Sequence, residues 1–495
     1  MKNRKPRSSR PLAFAGANGI LALMTRPTLL WLRRDLRLAD NPALAAAIDR
    51  GGPVIPVFVL DPLIEGFGAA PLWRLGESLA DLARRLESAG SRLILRRGAA
   101  RETLRALAKE TGAGGVLWSR LYDAPAIARD TEVKSALREA GIEARSVNGA
   151  LLFEPWTVET GSGGYYKVYT PFWKAVRGRE PVAPLPEPGR VPAPETWPES
   201  DALADWGLGR RMNRGAAVVA EHARIGEAAA RERLDAFIAR KAADYKAQRD
   251  RVDRDATSCL SEHLATGEMS PRTAWFAAAE AAEAAGGDGA VGFMQELVWR
   301  EFAYHLLYHT PRLESDNWRE EWDAFPWRGD NEDAERWRRA ITGEPMIDAA
   351  MREMQVTGRM HNRSRMLVAS YLCKHLMTHW KVGEAWFREH LIDWDVASNA
   401  MGWQWAAGCG PDAAPFFRIF NPATQAEKFD PERAYRTRWI AELAREPGRD
   451  ALAFFEAVPR RWDLSPHQSY PEPMVNLKQG RETALDAYKA LRQAA

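Results

Sequence analysis

The sequence predicts an α/β domain with a parallel, five-stranded, Rossmann-like sheet, followed by a large all-α domain. Three observations lead to this prediction. Residues 26–155 alternate short apolar runs with helical patterns, residues 181–198 hold seven prolines in 18 positions, and the pattern from about Arg224 onward is almost wholly helical. A chain of 495 residues is also too long for one compact core, so more than one domain is expected.

Five short runs in the first part predict the strands: TLLWLRRDLRL, VIPVFVLD, RLILRRG, GGVLWSRL and EARSVNG. Helical patterns separate them, and several of these end in glycine, a common helix stop. This alternation predicts a parallel sheet covered on both faces, with a ligand crevice at the carboxyl ends of the strands. No GxGxxG follows the first run, so the usual dinucleotide fingerprint is absent.

These patterns set the expected boundaries. Residues 1–25 are predicted to be a disordered or mis-assigned extension, with Met24 as an alternative start, because their weakly apolar part is broken by Gly16, Asn18 and Gly19. The α/β domain is expected over 26–155. The proline-rich region falls in an interdomain linker over 156–223, and the helical domain covers 224–495.

Composition narrows the class of protein. A net charge of +3 excludes a histone-like polycation but allows a local basic groove for nucleic acid. The three cysteines are far apart and outside any metal pattern, which favours free thiols in a reducing compartment, here the cytoplasm. No apolar run approaches 18 residues, so no membrane span is predicted. The twenty tryptophans indicate either a helical core rich in indoles, or stacking and electron transfer.

Two helical-domain motifs suit a large polar ligand. In TSCLSEHL, hydroxyls precede a helical pattern and suit a phosphate, although a plain N-cap by Ser261 is the simpler alternative. In MQELVWREFAYH, Glu296, Trp299 and Arg300 share one helix face. That face suits a flat polar heterocycle, or else forms a surface Glu/Arg pair beside a half-buried tryptophan.

The stretch GRMHNRSRMLVASYLCKHLMTHW, residues 358–380, is predicted as one helix. Asn362, Arg365 and Met366 share a face, and Arg363 points roughly 100° away. On this helix Trp380 would lie five turns after Asn362, on the same side.

Two aspartates follow this stretch in LIDWDVASNAMGWQW. Asp393 is the expected partner of Arg365, because an unpaired buried charge is costly. Neither histidine nor cysteine accompanies Asp393 and Asp395 at ligand spacing, so no metal site is predicted. His361 is given no role beyond structure.

Six stretches in order carry a family resemblance: LWLRRDLRLADNPAL, YKVYTPFW, TSCLS, ELVWREF, GRMHNRSRM and WQWAAGCGPDAAPFFRIFNPATQAEKFDP. They span roughly residues 27–480. The chain resembles the photolyase/cryptochrome family, and most of all bacterial cyclobutane pyrimidine dimer photolyases. The resemblance implies FAD in the helical domain, damaged DNA as substrate, and electron donation from photoexcited reduced FAD to a flipped-out dimer in a monomeric enzyme.

The resemblance also carries residue roles. Glu296 would stabilise the dimer radical anion and Asn362 would lie beside the reactive flavin nitrogen, while Trp327, Trp380 and Trp403 match an electron-transfer triad. FAD contacts are implied for Tyr245, Thr257, Ser258, Cys259, Leu260, Ser261, Asn362, Arg365, Asp393, Trp394, Asp395 and Asn399. Lesion or DNA-rim contacts are implied for Arg249, Glu296, Trp299, Arg300, Arg363, Met366, Trp405 and Gln425.

Some positions depart from the family pattern. Glu262 stands where many members have Pro or Ala, and Trp394 replaces a small residue between the two aspartates. ASNAMGWQW departs from the usual run before a triad tryptophan. Asp123, in the stretch that aligns with the antenna region, falls where folate-binding members tend to have Glu. The second chromophore therefore stays open among methenyltetrahydrofolate, a deazaflavin and none.

Three other functions remain as alternatives. They are a cryptochrome-type photoreceptor, a 6-4 photoproduct photolyase and a plain electron-transfer flavoprotein. Glu296 and Met366 match the dimer-repair form, and Met366 stands where the 6-4 class uses a histidine. The arginines Arg249, Arg300 and Arg363 disfavour a flavoprotein that does not bind DNA.

Overall fold

The amino-terminal domain is built on a fully parallel five-stranded sheet in the order β3-β2-β1-β4-β5. The computed structural model describes residues 26–285, 287–412 and 418–494, so the predicted extension over 1–25 lies outside the described residues. The sheet confirms the predicted fold class. Its strands are β1 Thr28–Leu32, β2 Val54–Leu60, β3 Ile94–Arg97, β4 Gly115–Ser119 and β5 Glu143–Val147.

Helices cover both faces of the sheet. In β1, Leu30 and Leu32 pack into one apolar cluster while Leu29 and Trp31 pack into another, because alternate side chains of a strand point to opposite faces. Burial on both faces explains why the strands read as continuous apolar runs. The helices of this domain are α1 Pro42–Asp49, α2 Pro62–Glu65, α3 Ala69–Ser88, α4 Ala100–Thr111 and α5 Ala124–Glu139.

The connection over 156–223 is more structured than a linker prediction suggests. It contains α6 Tyr169–Val176, α7 Leu203–Trp206 and α8 Gly215–His222. The proline-rich part forms neither helix nor strand and lies along the α/β domain. There, Val191 N–H donates to the Ala89 carbonyl at 2.9 Å, and Pro192 accepts from Val54 N–H at 2.7 Å.

The carboxyl-terminal domain is helical, as predicted, and its described residues contain no strand beyond a single bridge between Arg328 and Thr378. None of the helices within the described ranges is long and apolar enough to cross a membrane. The helices are α9 Gly226–Arg240, α10 Tyr245–Gln248, α11 Ser261–Thr266, α12 Pro271–Ala285, α13 Asp288–His309, α14 Glu332–Arg338, α15 Pro345–Thr357, α16 Asn362–Ser370, α17 Trp380–His390, α18 Val396–Ala407, α19 Pro422–Phe429, α20 Ala434–Trp439, α21 Arg449–Ala457 and α22 Leu477–Ala494.

The prediction of one helix through to Trp380 is wrong. After α16 the chain forms a π-helical turn over Tyr371–His375 and then stops. Met377 adopts a left-handed φ of 54°, which an α-helix cannot contain. His379 then starts α17 by accepting the Lys381 N–H at 3.1 Å. Trp380 is therefore the first residue of a new helix and not the last of the old one.

A buried charge cluster joins the two domains. Arg74 of α3 is fully buried and pairs with Glu268 and, at 3.3 Å, with Glu262. Glu262 also pairs with Arg233 of α9, and His263 hydrogen-bonds to Glu268. Since unpaired charges are costly in such a place, the cluster holds α3 and α11 in a fixed relation. This gives Glu262, a departure from the family pattern, a structural role.

Candidate flavin and DNA-lesion site

The helical domain encloses a cavity of about 1440 Å³. Ordinary small-molecule sites occupy roughly 300–1,000 Å³, so this one has room for a large cofactor and a second ligand. Trp327, Trp380 and Gln425 are not on its wall. The predicted residues that line it are Tyr245, Arg249, Thr257, Ser258, Cys259, Leu260, Ser261, Glu296, Trp299, Arg300, Asn362, Arg363, Arg365, Met366, Asp393, Trp394, Asp395, Asn399, Trp403 and Trp405.

One end of the cavity carries the hydroxyl loop. Cys259 takes a left-handed φ of 52°, and its carbonyl accepts from Arg233 at 2.8 Å. Ser258 Oγ accepts the Leu260 N–H at 3.4 Å. The N-cap of α11 is Leu260, so the alternative of a plain N-cap by Ser261 is wrong. Hydroxyls beside an arginine give this end donors for a phosphate-bearing ligand.

The predicted ion pair between Arg365 and Asp393 is present. Arg365 Nη2 lies 2.7 Å from Asp393 Oδ2, and Arg365 Nε donates to the Met360 carbonyl at 2.8 Å. Asp393 Oδ1 is buried and has no hydrogen-bond partner among the described residues. A buried oxygen left without a donor costs about 1–3 kcal/mol, so this site suits a ligand with an N–H or O–H group there. The residues present therefore fit a flavin nucleotide.

The second aspartate is held by residues that the sequence-based prediction missed. Asp395 caps α18 by accepting the Ser398 N–H at 2.9 Å, and the Tyr304 hydroxyl donates to its other oxygen. Arg34, from the turn after β1, lies 3.7 Å from that same oxygen. The sequence contained a signal for Arg34. It is a charged residue shortly after a buried parallel strand, and ligand sites form at such strand ends.

Arg300 lines the cavity on the same helix as Glu296 and Trp299. Its Nη1 donates to the Ala150 carbonyl at 2.9 Å, and its guanidinium lies 5.0 Å from the centre of the Tyr304 ring. Its neighbour Glu301 is buried, accepts the Leu152 and Phe153 N–H groups and lies 3.4 Å from Arg300 Nη1. A contact between Arg300 and DNA stays a prediction.

The lesion-side residues form two contacts. Glu296 is ion-paired with Arg249. Trp299 stacks on Tyr169 with ring centres 3.6 Å apart and planes 7° from parallel. Tyr169 belongs to the YKVYTPFW stretch and donates its hydroxyl to the Gln295 carbonyl at 2.8 Å. Sequence spacing could not reveal this stack, since its partners lie 130 residues apart.

Asn362 and Arg363 lie in the first turn of α16. Arg363 pairs with Asp250 at 2.5 Å and lies over the Phe429 ring. Asn362 is the first residue of α16 and is exposed toward the cavity. His361 is the N-cap of this helix, and its Nδ1 accepts the Arg363 N–H at 3.1 Å. Burial lowers the pKa of His361 to about 4, so the ring is neutral and can act as this acceptor.

Asn399 and Gln425 differ in their position relative to the cavity. Asn399 donates its amide to Glu384 Oε1 at 2.8 Å, which leaves the amide oxygen for the cavity side. Gln425 lies on α19, away from the cavity wall, and its Oε1 has no partner among the described residues. Gln425 is thus not brought together with the other candidate lesion contacts.

The three tryptophans predicted to form a triad lie on neighbouring parts of the helical domain. Trp403 lines the cavity, and its ring packs on Gly383 of α17, one turn after Trp380. Trp380 is fully buried and donates its indole N–H to Asn317 Oδ1 at 2.8 Å. The His379 ring lies 5.5 Å from both Trp380 and the half-buried Trp327. Burial therefore decreases from Trp380 to Trp327.

A second, smaller cavity of about 230 Å³ lies beside the α/β domain. It includes the stretch aligned with the antenna region, where Asp123 caps α5 by accepting the Ala126 N–H at 3.1 Å. Arg34, Arg129 and Glu314 also line this cavity. Trp394 lines both cavities and forms a wall between them.

Comparison with known proteins decides the family. The DNA photolyase family model matches residues 28–190, and the model for the FAD binding domain of DNA photolyase matches residues 293–490. A deoxyribodipyrimidine photo-lyase of Agrobacterium fabrum is 44% identical over 96% of this chain and 100% of its own length. The chain belongs to the DNA photolyase family. FAD is accordingly the cofactor of its helical domain.

Solved structures of the photolyase family agree with this assignment. A bacterial class III photolyase from Agrobacterium tumefaciens superposes with a TM-score of 0.87 at 44% identity, covering 95% of this chain and 98% of that one. A cryptochrome from Synechocystis gives a TM-score of 0.81 at 29% identity, covering 94% and 99%. The fold is thus shared by proteins named photolyase and cryptochrome, so the fold alone does not separate the two.

Proposed function

We propose that this protein uses light to split cyclobutane pyrimidine dimers in DNA. The observation that supports the proposal is that one cavity is lined by both sets of candidate residues. Arg365 and Asp393 line it and are proposed to contact the flavin ring, and Glu296 and Trp299 line it and are proposed to contact a flipped dimer. FAD in its reduced form supplies the photoexcited electron, and the residues of the chain hold both partners in place.

Glu296 is proposed to hydrogen-bond the dimer and stabilise its developing negative charge. Its ion pair with Arg249 fixes the carboxylate before the dimer enters. The Trp299–Tyr169 stack offers a rigid aromatic edge against the flipped bases, and Met366 and Trp405 complete the apolar wall. Flipping costs a few kcal/mol, and less for a distorted lesion.

Arg249 and Arg363 are proposed to contact DNA phosphates at the rim. Both are paired with carboxylates, Arg249 with Glu296 and Arg363 with Asp250. A phosphate would compete for the same guanidinium groups, so binding exchanges one anion for another. We expect affinity to fall steeply with salt, because phosphate contacts release counterions. A salt-independent affinity would argue against this rim.

The test is repair of an oligonucleotide that carries a thymine dimer. With fully reduced FAD, the wild type should restore the thymines in light and not in the dark. Repair in the dark, or none in light, would refute the proposal. Glu296→Ala should lower the repair rate about tenfold, the effect of losing one charge-assisted hydrogen bond of roughly 1.4 kcal/mol, with FAD retained.

Glu283→Ala is the matched control, because Glu283 is an exposed glutamate of neighbouring α12. It should repair like the wild type. If Glu296→Ala lost FAD instead, the carboxylate would belong to the flavin side of the cavity.

A cryptochrome-type photoreceptor is the second candidate, supported by the Synechocystis structure. It predicts light-driven reduction of FAD without repair by prereduced protein. Repair of a 6-4 photoproduct, the third, is tested by the matching oligonucleotide. We further propose a cytoplasmic monomer, to be checked by light scattering. The absorption spectrum would decide whether the second cavity takes methenyltetrahydrofolate, a deazaflavin or neither.

A further inference from the structure

The wall between the two cavities contains a residue of each domain. Trp394 of the helical domain lines both cavities. Arg34 of the α/β domain lines only the smaller one, and Asp395 lines only the larger one. Arg34 Nη1 nevertheless lies 3.7 Å from Asp395 Oδ2, so this ion pair passes through the wall. A charge beside the second cavity thus acts directly on a carboxylate of the first.

Aromatic and hydroxyl groups hold the Arg34 side chain. Its guanidinium lies 5.3 Å from the Phe67 ring centre and 5.5 Å from that of Trp394. The Phe67 and Trp394 rings meet edge to face at 5.3 Å. Arg34 Nη1 also donates to the Tyr304 hydroxyl at 3.4 Å, and that hydroxyl donates to Asp395. The Arg34 side chain is about 15% exposed, so solvent screens its charge little.

The backbone of this turn is fixed to the helical domain. A Cβ on Gly267 would lie 2.0 Å from the Arg34 carbonyl oxygen. The two backbone segments therefore touch at a point where only glycine fits. Leu36 N–H donates to the Thr266 carbonyl at 3.3 Å, and Arg37 Nη1 donates to that of Gly267 at 2.9 Å. These contacts hold the Arg34 backbone against the helical domain, which also contains Asp395.

Arg34 is one of the groups that keep the buried Asp395 carboxylate ionised. Burial opposes ionisation of the carboxylate, but Arg300 and Arg34, with the Tyr304 hydrogen bond, lower its pKa below the ordinary value. Asp395 thus stays ionised inside the cavity, with part of its charge neutralised from the other domain.

We propose that Arg34 is a positioning residue for the flavin, which sets the charge at the ring's polar edge through Asp395 and thereby links the second cavity to the reduction potential of FAD. The inference rests on the proposed function only in taking Asp395 to face that edge. Reduction adds negative charge to the ring, so a cation behind Asp395 favours the reduced state. Phe67, which lines the second cavity, controls where that cation lies.

The test is a spectroelectrochemical titration of FAD in the wild type, Arg34→Gln and Arg34→Lys. Arg34→Gln should lower the ratio of reduced to oxidised FAD about tenfold at a fixed electrode potential, which is roughly 30 mV for a two-electron couple. Arg34→Lys keeps the charge and should recover most of this loss. Phe67→Leu should shift the ratio in the same direction by a smaller amount, because it loosens the guanidinium.

Leu63→Ala is the matched control, since Leu63 lines the second cavity and is 37% exposed. It should leave the potential unchanged. If Arg34 merely held the domains together, Arg34→Gln would lower the unfolding midpoint and FAD retention, while the FAD that stayed bound would keep its wild-type potential. That result would overturn the inference. A shifted potential in a protein that repairs no dimer would sustain it while refuting the proposed function.

Discussion

Replacing Gly383 by alanine should push Trp403 out of its place beside α17. A Cβ on Gly383 would lie 2.0 Å from the Trp403 Cη2 atom, whereas ordinary contact begins at 3.4 Å. The indole or the helix must therefore move by about 1.4 Å, the difference of these two distances. Both elements are buried on this side, where Trp403 also meets Phe387 at 4.9 Å and Trp337 at 6.1 Å.

The expected change in stability is a balance of two terms. Overpacking a filled core costs about 1–3 kcal/mol. Alanine in place of glycine inside a helix stabilises the folded state by about 1 kcal/mol. Gly383→Ala should therefore lose about 0–2 kcal/mol of unfolding free energy. In the proposed electron route the same shift separates Trp403 from Trp380, so light-driven reduction of oxidised FAD should slow.

The assay combines urea unfolding with steady illumination of the oxidised protein. Gly76→Ala is the matched control, since Gly76 lies inside α3 and its added Cβ would meet Leu208 at an ordinary 3.5 Å. This control should gain stability, by up to about 1 kcal/mol, with unchanged photoreduction. A Gly383→Ala protein that gained the same stability and was reduced at the wild-type rate would refute the reasoning.

Three further predictions concern the buried charge cluster, Glu301 and Trp380. Arg74→Met breaks the buried interdomain cluster and should cost about 3–5 kcal/mol in urea unfolding, whereas Arg84→Ala, at an exposed pair, should cost roughly 0–1 kcal/mol. Burial raises the pKa of Glu301 to about 7, above the roughly 4.3 of the unfolded chain, so its ionisation destabilises the fold as pH rises. Glu301→Gln should therefore reduce the loss of stability between pH 5 and 8 by about 2–3 kcal/mol; an unchanged profile would contradict this. Trp380→Phe should block photoreduction but leave repair by prereduced enzyme intact, and unchanged photoreduction would mean another electron route.

The sequence was sufficient for the fold because its signals are local. The five strands read as continuous apolar runs, and the helices between them begin and end at ordinary caps such as Asn41 and Gly112. The break before Trp380 was missed because an apolar pattern does not record the left-handed φ of Met377. Nor does the pattern of residues 358–380 record the tertiary contact that Trp380 makes through its indole N–H with Asn317.

The candidate site was predictable where a general physical rule connects two residues. The Arg365–Asp393 pair followed from a helix face and the cost of a lone buried charge, and the structure contains it. The hydrogen bond of Arg300 could not be predicted, because its partner, the Ala150 carbonyl, lies 150 residues away. Tyr169, Tyr304 and Arg34 were missed for the same reason. Their partners are distant in sequence, and no spacing rule connects them.

Two of the departures from the family pattern, Glu262 and Trp394, have one explanation in the fold. Glu262 lies directly after the hydroxyl loop, and Arg74 of the α/β domain pairs with it. Trp394 lies between the two aspartates, and Arg34 of the same domain lies over its ring. Each departure thus places a residue of the cavity region in contact with a cation of the other domain. If only the motifs of the helical domain are compared, Glu262 and Trp394 are simply substitutions near the proposed flavin site. The structure makes them interdomain contacts, so the α/β domain helps to set the geometry and charge of the cavity even though the predicted reaction takes place in the helical domain.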